Sequence, residues 1–287
     1  MDGYYRLHKM KVQSYKTLAR FIQKTENFLL ENEVVNNLFW ETFSELVKKP
    51  SFSVWAGVIL ENGKIKLCAI RTEANYLLLS GGEDVYLEHL IQYFKRKKLK
   101  LKGVSGSSQG SLYFAENWLY GIPEQAKGRR DFYIYESPKK ISQWRTESTK
   151  QYTIKAVGNN EWPRARLWAF NFASESNPPL NGSALVLMAK KMMKKQSLFF
   201  IQGANFETCG MAGFGRETPS YLVINLVYVP VEWRNQKIAQ KLILDLVHYA
   251  QQEKNKRCIL FSDYQEDGNL YQSIGFNTVS KYAERMF

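Results

Sequence analysis

The sequence is poor in cysteine and histidine, and it contains no long apolar segment. Its 287 residues include three cysteines, Cys68, Cys209 and Cys258, which are widely spaced and form no C-x-x-C pair. An odd number of separated cysteines is typical neither of a disulfide framework nor of a zinc site. We therefore predict no structural disulfide and no bound metal.

Signals for membranes and secretion are also missing. No apolar run approaches the length of about 18 residues that a membrane-spanning helix requires. The first residues, MDGYYRLHKMK, lack the apolar core of a secretory signal. We therefore expect a cytoplasmic protein without a membrane partner.

Acidic residues are outnumbered, with 27 aspartates and glutamates against 40 lysines and arginines and a net charge of +13. Much of the excess lies in two lysine-rich runs, at 95–102 and 190–195. Such a charge favours an anionic partner. However, no recognised nucleic-acid-binding motif accompanies these runs, and exposed helix faces and helix C-termini also collect lysines. The composition therefore does not by itself predict a nucleic-acid-binding protein.

Hydrophobic periodicity and turn signals predict two halves of similar element order, typical of a two-domain α/β protein. Each half contains helices, a strand–turn–strand unit with a cysteine soon after its turn, and a strand followed by a helix. In the first half we predict helices at 15–32 and 38–47, a hairpin at 53–72 around Asn62-Gly63, a strand at 76–79, a helix at 84–98, a loop at 103–110, a helix near 111–121 and a strand at 131–137. In the second half we predict a strand at 152–157, helices at 161–176 and from 183, a strand–turn–strand unit at 197–213, a strand at 222–229, a helix to 254, a strand at 258–263, a short helix at 268–274 and a last strand from 276.

The most informative stretch is VYVPVEWRNQKIAQKLI, residues 227–243. A buried strand ends at Pro230, passes through a basic turn and enters an amphipathic helix. A strand, a helix and a second strand in this order require a parallel strand pair with a right-handed crossover. The first N–H groups of a helix have no partner within the helix, so this turn is favourable to an anion, and a simple crossover between two elements is the alternative.

This stretch, together with ILFSD and NLYQSIGF further on, resembles the GNAT superfamily of acyl-CoA-dependent N-acyltransferases. In that family an Arg/Gln-x-x-Gly-x-Gly/Ala turn holds the pyrophosphate of acetyl-CoA, and Arg234 and Ala239 stand at its first and last positions. A leucine-tyrosine pair followed by glycine-phenylalanine is also typical, and residues 270–276 match it. The segments AIRTEANYLLLS, VSGS and YIYES are similar to bacterial proteins in which a degenerate copy of the fold precedes the catalytic copy.

The resemblance implies an α/β (α+β mixed sheet) tandem GNAT-like fold. Each half would be a mostly antiparallel mixed sheet flanked by helices, with a parallel splayed strand pair in the C-terminal half. The implied domains are a degenerate GNAT-like domain at 1-143 and an acetyltransferase domain with the acetyl-CoA site at 144-287. The implied cofactor-binding residues are Val227, Tyr228, Val229, Arg234, Asn235, Gln236, Lys237, Ile238, Ala239 and Asn269.

Two residues of the turn depart from the family pattern. Lys237 stands where the family most often has glycine, and Asn235 stands where glycine is common after the arginine. Glycine lets a phosphate approach the backbone closely. Both residues still have N–H donors, and Lys237 either adds a cation near the phosphates or blocks the site.

Tyr271 matches the family tyrosine that donates a proton to the departing thiolate, although an aromatic residue on a short helix also suits simple packing. For a general base the candidate is Asp263, at the C-terminal end of a predicted strand, where α/β sheets bind substrates. An aspartate there is also a common turn cap. Glu175 and Glu217 are weaker candidates that suit exposed surface.

We therefore predict an acetyl-CoA-dependent N-acetyltransferase that acts on a small-molecule or peptide amine, as a monomer or homodimer. The alternative is an inactive GNAT-fold binding module that holds an acidic partner such as RNA on its basic surface. The motifs at 234–239 and 270–276 favour the enzyme, whereas the missing glycines and the net charge favour the alternative.

Overall fold

The computed structural model describes residues 10–48, 54–72, 76–120, 128–139, 151–263 and 268–287. The chain forms two compact units: the first unit comprises Met1–Ile134 and Ser280–Phe287, and the second unit comprises Tyr135–Val279. None of the described helices is long and apolar enough to cross a membrane.

The helices and strands follow the predicted order, except that β1 was not predicted and a strand stands in the predicted loop at 103–110. In the first half of the chain they are β1 (Met10–Ser14), α1 (Leu18–Leu30), α2 (Glu33–Leu46), β2 (Trp55–Glu61), β3 (Lys64–Arg71), β4 (Tyr76–Leu79), α3 (Asp84–Arg96), β5 (Gly103–Ser107), α4 (Ser108–Leu119) and β6 (Gly128–Glu136). In the second half they are β7 (Thr153–Ala156), α5 (Trp162–Glu175), α6 (Gly182–Lys194), β8 (Leu198–Gln202), β9 (Thr208–Glu217), β10 (Tyr221–Tyr228), α7 (Ile238–Lys254), β11 (Arg257–Ser262), α8 (Leu270–Ser273) and β12 (Asn277–Met286).

The predicted loop at 103–110 is wrong. Residues Gly103–Ser107 form β5, and Ser107 begins α4 by accepting a hydrogen bond from the N–H of Gly110 at 3.3 Å. The two glycines of this strand are required by close neighbours. A Cβ at Gly103 would lie 2.6 Å from the carbonyl oxygen of Arg285, and one at Gly106 would lie 2.8 Å from that of Leu79. A Gly-Ser sequence suggests a loop, but here glycine allows close strand packing.

In the first unit the strand order is β1-β2-β3-β4-β5-β12. The β4–β5 pair is parallel, while β12 runs antiparallel to β5, with Tyr282 opposite Ser107 and Met286 opposite Gly103. The sequence analysis placed a parallel pair only in the C-terminal half, because it took β5 for a loop. The predicted boundary between residues 143 and 144 lies outside the described residues and stays a prediction. Residues 280–287, however, lie in the first unit because β12 pairs with β5.

The two faces of the first unit's sheet are buried by different helices. Alternate residues of β3 point to opposite sides: Leu67 and Ala69 join one core cluster, whereas Cys68 and Ile70 join another. The first cluster contains side chains of α3 and α4, and the second contains side chains of α1 and α2. This alternation follows from the two-residue period of a strand.

The second unit has the strand order β11-β10-β9-β8-β7. Ser137 follows β6 and is bonded to Cys258 of β11, since its N–H donates to the Cys258 carbonyl at 2.8 Å and its Oγ accepts from the Cys258 N–H at 3.0 Å. The β10–β11 pair is parallel, as the strand–helix–strand pattern requires. The interior sides of α5 and α6, including Ala165, Trp168 and Met192, pack in one core cluster with β8 to β10.

The hairpin predicted from Asn62-Gly63 is confirmed. Both residues have positive φ, 49° and 79°, as a type I′ turn requires. Asparagine and glycine are the residues that adopt this conformation at the lowest cost.

We expect Gly63→Ala to lower the free energy of unfolding of the first unit by about 1 kcal/mol, because alanine is strained at positive φ. A Cβ at this position meets no atom within 4 Å, so the loss would come from the backbone alone. The urea midpoint of the first unit's unfolding transition would measure it. Gly81→Ala is the matched control, since Gly81 is equally open and its φ is not in the positive region. Equal midpoints for both variants would contradict the prediction.

Candidate functional site

The strand β10 is bulged at its C-terminal end. Asn225 lies opposite Gly213 and Tyr228 lies opposite Met211 of β9, so two residues of β10 oppose a single residue of β9. Within this bulge, Leu226 has a φ of 55°. A bulge interrupts the regular ladder and redirects the backbone groups of the strand. The predicted site residue Val227 lies in the bulge, and Tyr228 lies at its edge.

The parallel neighbours β10 and β11 stop pairing before the bulge. Their pairing joins Tyr221–Ile224 to Arg257–Leu260, but the strands continue to Tyr228 and Ser262. Separated ends of neighbouring parallel strands are where α/β sheets bind ligands. This arrangement agrees with the splayed pair that the sequence analysis expected.

The turn between β10 and α7 contains two residues in the left-handed region. Asn235 has a φ of 62° and Lys237 a φ of 61°. Glycine adopts this conformation without strain and asparagine tolerates it, whereas lysine in this conformation costs roughly 1 kcal/mol. These are the two positions at which the resemblance placed glycine. Lys237 therefore keeps the backbone shape that the motif requires, and only its side chain is different.

The N-terminus of α7 has the character of an anion-binding site. Lys237 stands at the N-cap position and makes no side-chain capping bond, and the first turn of this 17-residue helix has no acidic residue. The corresponding helix of the first unit, α3, begins differently, with Glu83 at the N-cap and Asp84 in the first turn. Neither N-cap makes a side-chain capping bond, but the negative charge of the carboxylates at α3 would repel a phosphate. Of these two corresponding helices, only α7 begins in a way that suits an anion.

Arg234 is held beside the bulged strand by contacts with Val229, Glu175 and Tyr228. Its Nε donates to the carbonyl oxygen of Val229 at 2.9 Å, its Nη2 lies 2.5 Å from Oε2 of Glu175, and its guanidinium lies 6.0 Å from the ring centre of Tyr228. Glu175 is the last residue of α5. Its other oxygen accepts from the Tyr228 hydroxyl at 2.9 Å, and that hydroxyl also lies 3.4 Å from Nδ2 of Asn171.

The pKa values of this cluster agree with its hydrogen bonds. Partial burial acts to raise the pKa of Glu175, but the bonds from Arg234 and Tyr228 and the charge of Arg234 outweigh it, so the pKa lies below its usual value. Burial raises the pKa of Tyr228, and the bond to Glu175 raises it further. Glu175 is therefore an acceptor and Tyr228 a donor at neutral pH.

Tyr271 lies on α8 with its side chain mostly buried. Its ring centre is 5.3 Å from that of Tyr135 and 6.4 Å from that of Phe276. Asn269 caps this helix, since its Oδ1 accepts from the N–H of Tyr271 at 2.9 Å and its Nδ2 donates to the Tyr135 hydroxyl at 2.7 Å. The role of Tyr271 as a proton donor stays a prediction. The predicted cofactor contact of Asn269 also stays a prediction, although both polar groups of its side chain already have partners.

The remaining candidates lie directly after β11, at the end of β9, and between the turn and the start of α7. Asp263 follows β11 directly and is exposed. Glu217 accepts from Nζ of Lys256 at 2.6 Å. In the turn, Nε2 of Gln236 lies 3.3 Å from the carbonyl oxygen of Glu232. At the start of α7, Ile238 is buried and Ala239 half-buried. Among the described residues no group of three or more His, Cys, Asp or Glu side chains is arranged to hold a metal ion.

Glu175 was predicted to be a weak candidate that suits exposed surface. Its side chain is 43% exposed, yet one carboxylate oxygen is bonded to Arg234 in the turn and the other to Tyr228 before the turn. Glu175 and Arg234 are 59 positions apart in the chain. A polar residue at the end of a helix gives no periodic signal, so only the tertiary structure shows this contact.

Comparisons with known proteins agree with the geometry. Residues 183–286 match the family described as acetyltransferase (GNAT) domain. A comparison with curated protein sequences gave no match. Among solved structures, the chain is similar to an acetyltransferase of the GNAT family from Colwellia psychrerythraea, with a TM-score of 0.57 and 12% identity over 96% of this chain and 99% of that chain.

Two further solved structures are similar to this chain. One is a tandem GNAT protein from the clavulanic acid biosynthesis pathway, with a TM-score of 0.56 and 8% identity over 97% of this chain and 98% of that chain. The other is a GCN5-related N-acetyltransferase from Sphaerobacter thermophilus, with a TM-score of 0.54 and 15% identity over 85% of this chain and 84% of that chain. At these identities the likeness shows the fold. The predicted resemblance and the tandem GNAT-like fold are therefore confirmed, and acyl transfer is the general chemistry that such a domain supports.

Proposed function

We propose that this chain, which carries a GNAT acetyltransferase domain at 183–286, moves an acetyl group from acetyl-CoA to a primary amine. The observation that carries the proposal is the path of the backbone from β10 to α7. A bulged strand end leads through two left-handed residues to a helix N-terminus without acidic residues. This path combines a strand end beyond the last pair with β11 and a helix N-terminus that suits an anion, and acyl-CoA needs both.

The residues of the turn fit the pyrophosphate of acetyl-CoA. The first amides of α7, from Ile238 and Ala239, would bind the phosphate oxygens, and Lys237 and Arg234 supply positive charge nearby. The backbone of residues 227–229 would align the pantetheine arm by adding hydrogen bonds at the end of β10. Gln236 and Asn235 complete the turn, and Asn269 would contact the cofactor from the start of α8.

When bound, acetyl-CoA supplies an activated thioester. The chain's own residues would supply the proton transfers that acyl transfer to an amine requires. Tyr271 would hold the proton that the departing thiolate takes. Asp263, exposed at the C-terminal end of β11, would accept the proton from the attacking amine. The acceptor would be a small-molecule or peptide amine, and the protein would act as a monomer or homodimer.

Calorimetric titration with acetyl-CoA tests the proposal. We expect saturable binding that Arg234→Ala weakens at least about tenfold, because the variant removes a cation and the bond to Val229. Inorganic phosphate should bind far more weakly, since it lacks the contacts along the strand. An unmodified protein that does not bind acetyl-CoA at moderate salt would overturn the proposal.

The alternative, a binding module for an acidic partner such as RNA, receives no support from the family match or from the similar structures reported above. Its sequence argument depended on the absence of glycine at two positions and on the net charge of +13. Asn235 and Lys237 nevertheless adopt the left-handed backbone that glycine would adopt. The main reason to expect a lost cofactor site is therefore weakened.

A further inference from the structure

Glu175 connects the two sides of the turn between β10 and α7. Its Oε1 accepts from the hydroxyl of Tyr228, which lies before the turn, and its Oε2 is bonded to Arg234, which lies within the turn. Arg234 in turn bonds back to the carbonyl oxygen of Val229. A chain of hydrogen bonds thus runs from α5 through Arg234 to the end of the bulged strand.

From this arrangement we infer that Glu175 is a positioning residue for the cofactor turn, and that it acts through Arg234. The inference rests on the proposed function of the same site. Glu175 belongs to α5, and its partners Tyr228 and Arg234 belong to the strand end and the turn. Its carboxylate holds the guanidinium over Tyr228, and the guanidinium closes the turn onto Val229.

The strain in the turn explains why such support is needed. Asn235 and Lys237 both have positive φ, and residues held in this region persist only where the surrounding structure fixes them. Arg234, whose side chain makes these bonds, directly precedes Asn235 in the chain. Loss of the carboxylate at 175 would leave the guanidinium with fewer restraints, and the turn would then sample conformations in which the first amides of α7 no longer converge.

Electrostatics predicts the opposite effect of the same change, so the two explanations can be separated. A carboxylate near an anion site repels phosphate, and removing its charge would tighten acetyl-CoA binding if repulsion were its main effect. If Glu175 positions Arg234, removing its charge weakens binding. The sign of the change therefore distinguishes positioning from simple charge.

We expect Glu175→Gln to raise the Kd and KM for acetyl-CoA about five- to tenfold with kcat changed less than about twofold, the range expected for a charged hydrogen bond in a partly exposed pair. Glu175→Asp should recover part of the affinity. The matched control is Glu161→Gln, which removes a carboxylate bonded to Lys155 directly before the same helix. It should leave the Kd unchanged. A Kd for Glu175→Gln equal to or below that of the unmodified protein overturns the inference.

A double-mutant cycle tests whether the effect passes through Arg234. In an Arg234→Gln background, Glu175→Gln should change the Kd by less than about twofold, because the contact is already lost. If Glu175→Gln raised the Kd by the same factor in both backgrounds, its effect would not pass through Arg234.

Hydrogen exchange gives a readout that does not depend on the cofactor. The backbone amides of Val229 and of residues 231–241 should exchange faster in Glu175→Gln than in the unmodified protein or in Glu161→Gln. If the unmodified protein binds no acetyl-CoA, the proposed function is wrong. Hydrogen exchange would still show whether Glu175 orders the turn. Equal exchange in all three proteins would overturn the inference.

Discussion

Replacing Tyr271 with phenylalanine should lower kcat for acetyl transfer about 100-fold or more while the Kd for acetyl-CoA stays unchanged. A positioned general acid typically contributes a factor of roughly 10² to 10⁴. Phenylalanine keeps the ring and therefore keeps the contacts with Tyr135 and Phe276. The backbone N–H that bonds to Asn269 is also kept, so the cap of α8 should survive. The substitution isolates the hydroxyl group.

Single-turnover kinetics with a model amine, combined with calorimetry of acetyl-CoA, would measure this effect. Tyr249→Phe is the matched control, because Tyr249 stacks on Phe214 in the same unit and has no part in the proposed mechanism. Its kcat should equal that of the unmodified protein. If Tyr271→Phe also kept full kcat, Tyr271 would be a packing residue and another group would have to protonate the thiolate.

The second large effect is expected from Lys237→Glu. Lys237 is exposed at the N-cap position of α7, in front of the amides that would bind the pyrophosphate. The change removes a cation and adds an anion at that point, and each such charge-assisted contact is worth about 1.5–3 kcal/mol. We therefore expect the Kd for acetyl-CoA to rise about 100-fold. The fold should remain, because a negative charge stabilises the N-terminus of a helix.

Two companion variants make this result interpretable. Lys194→Glu changes the net charge equally, but it lies in the last turn of α6, so its Kd should change less than about threefold at moderate salt. Lys237→Gly keeps the left-handed backbone and removes the side chain. It separates the two roles considered for Lys237: tighter binding means that the lysine blocks the site, and weaker binding means that it contributes a cation. A Kd for Lys237→Glu close to the unmodified value would mean that phosphates do not bind at this helix.

The element order could be predicted from the sequence because it depends on local patterns. Asn62-Gly63 defined a hairpin through its turn geometry. The failure at 103–110 has the opposite cause. Glycine in a sequence is found both in loops and in strands that pack closely against their neighbours. Only the short distances to Arg285 and Leu79 show that glycine serves strand packing there.

Only the part of the candidate site that lies within one continuous motif could be predicted from the sequence. The turn at 234–239 is a continuous segment, and its strained residues occupy the motif's glycine positions. The contact of Arg234 with Glu175 joins residues far apart in the chain, so neither spacing nor periodicity could indicate it. The bulge at Leu226 was also hidden, because a left-handed leucine has no sequence signature.

The position of β12 affects how the protein can fold during synthesis. Domains of a growing chain generally fold in order, the N-terminal one first. Here the first unit includes residues 280–287, which pair with β5. Its sheet therefore cannot be completed until those residues have left the ribosome, after the whole second unit has been translated. A nascent chain ending near residue 143 would carry β5 as an open sheet edge, which is the kind of surface that chaperones protect from aggregation.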